Sequence, residues 1–472
     1  MDTVNQKLPW KEKICYGFGD LASVLYWQTF MLYLTYFYTD IFVIPAGAAA
    51  TMFLISRVWD GVNDPLMGII ADRTNTRWGK FRPYLLWICV PFAVVGVLTF
   101  TVPDFGLTGK VIWAYVTFVL IMMLYTAINI PYTALLGVIS ANSNERTVVA
   151  SVKFIFAYAA GIIVSATLLP MTKALGRGND AHGWQLSFMV YGIAAVLFFL
   201  VTFTGTRERV QPPKTQKSSV KQDLYELLTN KPWLILLATT ITFILFVAVR
   251  SSVTAHYFKY VVGEREVSLP FVKTKIYSFV TLVSAFNVVG QIASLVGVIL
   301  VGWIAKIIGK KRAFIFIFII AIMSTAAFYL LKPNQIALIF LFQITGSITG
   351  GPLSVLIWAM YADTADYAEW KRGRRTTGLV FSASTMSQKF GWAFGAFVSL
   401  SLMSQLGFQP NQAQSAASLH GLISLFSVIP AAFGILAIII VYFYPLSDKR
   451  VSEIGAELAE RRKEEGKEVT DK

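Results

Sequence analysis

Apolar stretches long enough to cross a bilayer recur along the whole chain, and no other feature limits its fold so strongly. A run of about 20 apolar residues spans a hydrocarbon core of roughly 30 Å as a helix. Lipid offers no hydrogen bonds, so the backbone of such a segment must satisfy itself, which favours helices. Stretches centred near residues 28, 59, 93, 124, 160, 196, 246, 288, 322, 348, 391 and 431 predict twelve spans. The composition agrees: 56% of the residues are hydrophobic and 14% charged, where a soluble domain carries about 25% charged residues. Mean hydropathy is +0.60. The expectation is an all-α, multi-pass protein embedded in the lipid bilayer.

The widest polar interruption is "TRERVQPPKTQKSSVKQDLYELLTNKP". It reads as a flexible linker running into a short amphipathic helix. It divides the chain into an N-terminal half (1–205), a linker (206–232), a C-terminal half (233–446) and a tail (447–472), with six spans in each half. Basic residues gather after the even-numbered spans, in "DRTNTRWGKFRP", "NSNERT", the linker, "KIIGKKR" and "KRGRR". By the positive-inside rule these loops and both termini face the cytoplasm. The net charge of +15 is therefore read as membrane topology rather than nucleic-acid binding. The mixed-charge stretch "KYVVGEREVSLPFVKTK" after span 7 reads as a loop, and the tail "AELAERRKEEGKE" as a solvated helix or disordered segment. The opening "MDTVNQKLPWKEK" shows no cleavage pattern, so no removed leader is expected. Cys15 and Cys89 both sit in apolar segments, which argues against a disulfide scaffold or a zinc site. "GIIADRTNTRWGKFR" from Gly68 and "GWIAKIIGKKR" from Gly302 echo one another at matching places in the two halves. Two related six-helix halves around a midplane site are the architecture of the major facilitator superfamily.

Span 2 carries an unusual string, "RVWDGVNDP", between apolar flanks. A 3.6-residue repeat puts Asp60 and Asp64 one turn apart, Asn63 beside Asp64 and Arg57 one turn earlier, on one stripe. A carboxylate at helix centre costs on the order of 3 kcal/mol on insertion scales, and two cost about twice that. One arginine does not neutralise two carboxylates and satisfy an amide as well. A buried Arg57–Asp60 pair with Asp64 bonded to a neighbouring helix is one solution. The favoured one is a cation site of side-chain oxygens from Asp60, Asn63 and Asp64, since hard cations prefer such donors. Adjacent carboxylates also raise one another's proton affinity, so the residues alone leave Na⁺ and H⁺ equally open.

The strings "YGFGD" (16–20), "RVWDGVNDPLMG" (57–68), "RWGKFRPY" (77–84), "YTAINIPY" (125–132) and "YADTADYAEW" (361–370) resemble the glycoside–pentoside–hexuronide:cation symporter family, of the melibiose permease type. The resemblance covers both halves. It implies the major facilitator fold and sugar uptake coupled to Na⁺, Li⁺ or H⁺, with no other cofactor, by alternating access. It also implies a functional monomer in the bacterial cytoplasmic (inner) membrane. Residue by residue, Asp60, Asn63 and Asp64 match the family's cation ligands, Thr126 a threonine beside them, Lys389 a lysine near both sites and Tyr125 a sugar-pocket tyrosine. Three acidic or basic sugar contacts of melibiose permease are replaced by Ser23, Val24 and Asn129, and a tryptophan by Thr133. The substrate is therefore expected to differ from a simple α-galactoside.

Further polar residues sit inside spans. Lys389, one turn after Thr385 in "STMSQKFGW", should face a cavity or a carboxylate, or else snorkel to an interface. Arg250 lies within span 7, followed by Ser251, Ser252 and Thr254. Its planar fork suits a carboxylate, either of an acidic sugar or of another span. Lys153 near the start of span 5 offers a second positive charge, and Tyr125 and Asn129 stand one turn apart to meet sugar hydroxyls. Asp20 has no local partner and fits function and structure equally. Asp363, Asp366 and Glu369, read as part of a loop, can bridge to Arg77, Lys80 and Arg82 as a cytoplasmic gate, or be merely solvated.

No nucleotide-binding loop, zinc-protease string or serine-hydrolase elbow appears, and there are three histidines, so an enzyme is not expected. The competing reading is a carrier of lysolipids or other amphiphiles on the same fold, which a laterally open apolar groove would favour.

Overall fold

The computed structural model describes residues 7–140, 143–209, 228–269, 272–372, 377–454 and 456–458. Every predicted span centre falls inside a helix. Among the described residues the chain runs through α1 (Trp10–Tyr36), α2 (Ala46–Arg73), α3 (Arg82–Thr99), α4 (Leu107–Val138), α5 (Ser143–Gly176), α6 (Asp180–Gly205), α7 (Lys231–His256), α8 (Phe279–Ile308), α9 (Lys310–Ala327), α10 (Ile336–Gly350), α11 (Leu353–Arg372), α12 (Thr377–Gln405), α13 (Ala416–Phe426) and α14 (Val428–Tyr442). These helices make twelve rods. The first and seventh continue through single π-helical segments, Phe37–Ile41 and Tyr257–Val262. Two others are interrupted, at Gly351–Pro352 and at Ser427, near residues that weaken or cannot extend the hydrogen-bond ladder.

Three sequence expectations are corrected here. The stretch after span 7 is an antiparallel hairpin, β1 (Arg265–Leu269) with β2 (Val272–Tyr277), whose alternation buries Val267. "YADTADYAEW" is the end of α11 rather than a loop, because neither Gly nor Pro interrupts the run before Arg372. Tyr361 and Ala365, one turn apart, are buried there. The start of the tail is helical at 448–454 and 456–458, one of the two forms expected, but it is packed rather than solvated, with Ile454 and Leu458 buried. The indole of Trp370 donates to Glu457, and the guanidinium of Arg450 lies 4.8 Å over the same ring. Apolar residues on one helical stripe pulled this segment out of water. The linker's amphipathic helix falls outside the described residues.

The chain forms two compact units. Unit 1 contains Met1–Gln216, Ser251–Gln291 and Ala396–Leu422; unit 2 contains Lys217–Arg250, Ile292–Gly395 and Ile423–Lys472. In unit 1, α1 is the central helix. Its Gly19 accepts the flat side of Tyr132 so closely that a Cβ would come within 2.5 Å of the ring. Around it stands an aromatic core in which Phe100 lies flat on Phe188 at 3.6 Å and Tyr26 packs on Phe92 at 4.3 Å. A buried polar network joins Ser251–Gln291 and Ala396–Leu422 to α1. The carboxylate of Asp40 accepts from Lys259 Nζ (2.7 Å), Thr39 Oγ1 (2.7 Å) and the Tyr260 hydroxyl, and lies 3.1 Å from His256 Nε2. Asn411 Nδ2 donates to the Asp40 carbonyl at 2.7 Å. A fully buried carboxylate is tolerable only with such partners. In unit 2, Phe243, Phe246 and Phe314 all meet Phe318 edge-on, and Asn230 caps α7 by accepting from the Trp233 N–H.

Candidate functional site

Tyr125 and Thr126 are neighbours on α4, and a helix turns about 100° between neighbours, so the two side chains leave in different directions. Thr126, buried, reaches α2: its Oγ1 donates to Asp64 Oδ1 at 2.8 Å. Tyr125 reaches α1 instead and stacks on Trp27, with ring centroids 5.3 Å apart and planes 26° from parallel. One turn on, Asn129 Nδ2 donates back to the Tyr125 carbonyl at 3.0 Å. Pro131 follows inside the helix, where its ring removes one N–H from the ladder.

The α2 side of this arrangement offers hard oxygen donors. Beside Asp64, the side-chain amide of Asn63 has a buried Nδ2 with no hydrogen-bond partner among the described residues. A buried polar group left this way calls for an explanation such as an ion. Rotating the amide by half a turn places Oδ1 at the same point, since the two orientations differ by assignment. A carboxylate, a hydroxyl and an amide oxygen fit a small cation carried as cargo. Asp60 and Arg57 are on the same helix, and their side chains lie outside the described residues.

Lys153 on α5 is not a lone positive charge. Its Nζ stands 3.5 Å from Asp20 Oδ1 on α1 and 5.5 Å over the ring of Tyr132. Tyr132 in turn stacks on Tyr16 at 4.7 Å, each hydroxyl donating to the other's backbone carbonyl. Sequence reasoning singled out both charges but did not pair them. Asp20, Trp27, Asp64, Tyr125, Thr126, Asn129 and Lys153 all belong to unit 1.

Arg250 lies in unit 2, and two neutral side chains are among the partners of its guanidinium. Nη1 donates to Thr325 Oγ1 and Nη2 to Gln343 Oε1, both at 3.1 Å. The rings of Phe328 and Phe426 lie 4.6 and 4.7 Å from the guanidinium carbon. An arginine wedged between two phenylalanines was not foreseen, because neither ring is near it in sequence. Lys389 is half-buried within α12, and the side chain of Thr385 lies outside the described residues.

Of the proposed gate residues, Arg77, Lys80, Arg82 and Asp363 have partners within their own units. Arg82 donates to the carbonyls of Phe203 (2.6 Å) and Trp78 (3.2 Å), and Arg77 lies 4.4 Å over the Trp78 ring. The backbone N–H groups of Lys80, Phe81 and Arg82 all point at the carboxylate of Glu208, at 2.9, 2.8 and 3.0 Å. Gly79 makes the turn with φ +108°, where a side chain would strain the backbone and strike Glu208. Asp363 is buried and paired with Lys310, while Asp366 and Glu369 are half-buried on α11.

Membrane-length helices with ionisable side chains turned inward define a transporter of the major facilitator fold. The family model described as "MFS/sugar transport protein" matches residues 15–448, and the chain belongs to this family. A putative glycoside/cation symporter of Escherichia coli (strain K12) is 35% identical over 98% of each chain. The isoprimeverose transporter of Lactiplantibacillus pentosus is also 35% identical, over 92% of this chain and 89% of its own. Among solved structures, a D-xylose–proton symporter superposes with a TM-score of 0.64 at 14% identity, covering 93% of this chain and 98% of that one. That last likeness speaks for the fold alone. The chain is a multi-pass secondary active sugar:cation symporter, and the amphiphile-carrier alternative is not favoured.

Proposed function

We propose that a glycoside or pentoside occupies the space beside Trp27, Tyr125, Asn129 and Lys153 while a cation, Na⁺, Li⁺ or H⁺, sits at Asp60, Asn63, Asp64 and Thr126. The observation that carries this reading is the divergence of two adjacent α4 residues, with Thr126 on Asp64 and Tyr125 on Trp27. Occupancy of either place then constrains the same turn of α4. Lys389 and Thr385, on α12, are further candidate substrate residues. The chain works by alternating access, as a functional monomer with both termini in the cytoplasm. Arg77, Lys80, Arg82, Asp363, Asp366 and Glu369 are candidate residues of a cytoplasmic gate. The names of relatives at 35% identity, a glycoside/cation symporter and a transporter of isoprimeverose, support the substrate class. Uptake of labelled xylosides and pentose disaccharides into proteoliposomes, under imposed Na⁺, Li⁺ or proton gradients, tests the proposal. Gradient-dependent accumulation of at least one is expected. Uptake that never responds to any cation gradient contradicts it.

A further inference from the structure

Resting on that reading, we infer that Asp20 determines specificity, cancelling the charge of Lys153 so that the site takes neutral glycosides in preference to uronides. α1 is buried on almost every side. Between residues 20 and 31, Val24, Trp27, Gln28 and Met31 keep partial exposure, spaced three and four apart on one face. Asp20 stands one turn before Val24 and so ends the same stripe. α4 runs alongside: Tyr125 meets Trp27 and Tyr132 meets Gly19, which sets Asn129 at the level between them. The open stripe therefore has an aromatic platform toward one end and the Asp20–Lys153 pair toward the other.

The pair itself is loose. At 3.5 Å it is longer than a charge-assisted hydrogen bond of about 2.7–2.9 Å, and the side chains retain 11% and 21% exposure. Lys153 keeps donors and Asp20 keeps lone pairs for a third party. A sugar hydroxyl both donates and accepts, so it can bridge the two without disturbing their balance. A carboxylate drawn to Lys153 is brought close to Asp20, and like charges in a poorly hydrated site repel strongly. The lysine that looked like an anchor for acidic sugars is thus set against them by its neighbour.

The test uses the full chain, purified and reconstituted, with 4-nitrophenyl β-D-xyloside and 4-nitrophenyl β-D-glucuronide, which share a leaving group and differ by one carboxylate. Affinities are measured by titration calorimetry. The wild type should bind the xyloside more tightly, and Asp20→Asn should shift the ratio toward the glucuronide by about tenfold or more. Asp20→Glu should keep the wild-type order, and adding Lys153→Gln to Asp20→Asn should remove the glucuronide gain. If Asp20→Asn does not fold, Lys153→Gln alone decides, because an uncompensated Asp20 should widen the preference for the xyloside. A wild type that prefers the glucuronide, or a ratio that neither substitution moves, overturns the inference while leaving sugar transport standing. A wild type that binds neither glycoside overturns the sugar reading and this inference together.

Discussion

Thr126 on α4 donates its hydroxyl hydrogen to Oδ1 of Asp64 on α2 at 2.8 Å, and the preceding residue, Tyr125, lies flat against Trp27 of α1. Three helices therefore share one turn of α4, and a force on either side chain is felt by the other.

Removing the acidic ligand should uncouple the carrier rather than unfold it. Asp64→Cys and Asp60→Cys are expected to abolish cation-driven accumulation while leaving sugar exchange across the membrane. Thr126→Val should be milder. It deletes one hydrogen bond to a charged group, an interaction of about 1.5–3 kcal/mol, and should raise the half-saturating cation concentration by about tenfold or more. Thr126→Ser should restore it. Flux measurements against cation concentration decide, and full active accumulation in the Asp64 variant contradicts the assignment.

Arg250 is expected to behave as a structural wedge. Arg250→Lys keeps the charge but cannot hold both Thr325 and Gln343 or lie flat between Phe328 and Phe426. A loss of about 1–3 kcal/mol in stability should follow. Neutral and acidic glycosides should weaken alike in Arg250→Gln. Thermal unfolding in detergent, with paired binding titrations, checks both statements. A selective loss of the acidic glycoside would instead place Arg250 on the substrate.

How much of this was legible in advance depended on the range of the interaction. Hydropathy is a local property, and each of the twelve expected centres lies within a helix. The Asp64–Thr126 contact was reachable through family resemblance, since both residues match that family's cation site. Asp20 and Lys153 were each noticed, but their pairing depends on α1 packing against α5, which no local pattern reports. The same holds for Asp40, which meets Lys259 and His256 from more than 200 positions away. The end of α11 differs from expectation because "ADTADYAEW" is polar enough to resemble a loop, although it holds no Gly or Pro to end the helix.

One titration can be anticipated outside the spans. Glu145 accepts from Lys13 Nζ at 2.7 Å and from the Leu8 N–H at 3.0 Å. The hydrogen bond to Lys13 and then that to Leu8 hold its carboxyl below the ordinary glutamate value. A depressed carboxyl stabilises the folded state above the unfolded value of about 4.3 and ceases to do so as pH falls through the lower, folded value. The stability difference between the wild type and Glu145→Gln should be constant from pH 8 to pH 6 and shrink in acid, below about pH 4.3. Unfolding of both proteins across that range is the check, and a difference that grows in acid would reverse the sign.

The central claim is that sugar and cation bind as one linked event through Tyr125 and Thr126. Its most direct test is to titrate the purified carrier with its sugar with and without Na⁺, with and without Li⁺, and at two pH values, then to repeat each titration in the reverse order. The coupling cation should tighten sugar binding by roughly 5–150-fold, and the sugar should tighten cation binding by the same factor, as linkage requires. Sugar affinities that are equal under every cation and pH condition would contradict the account.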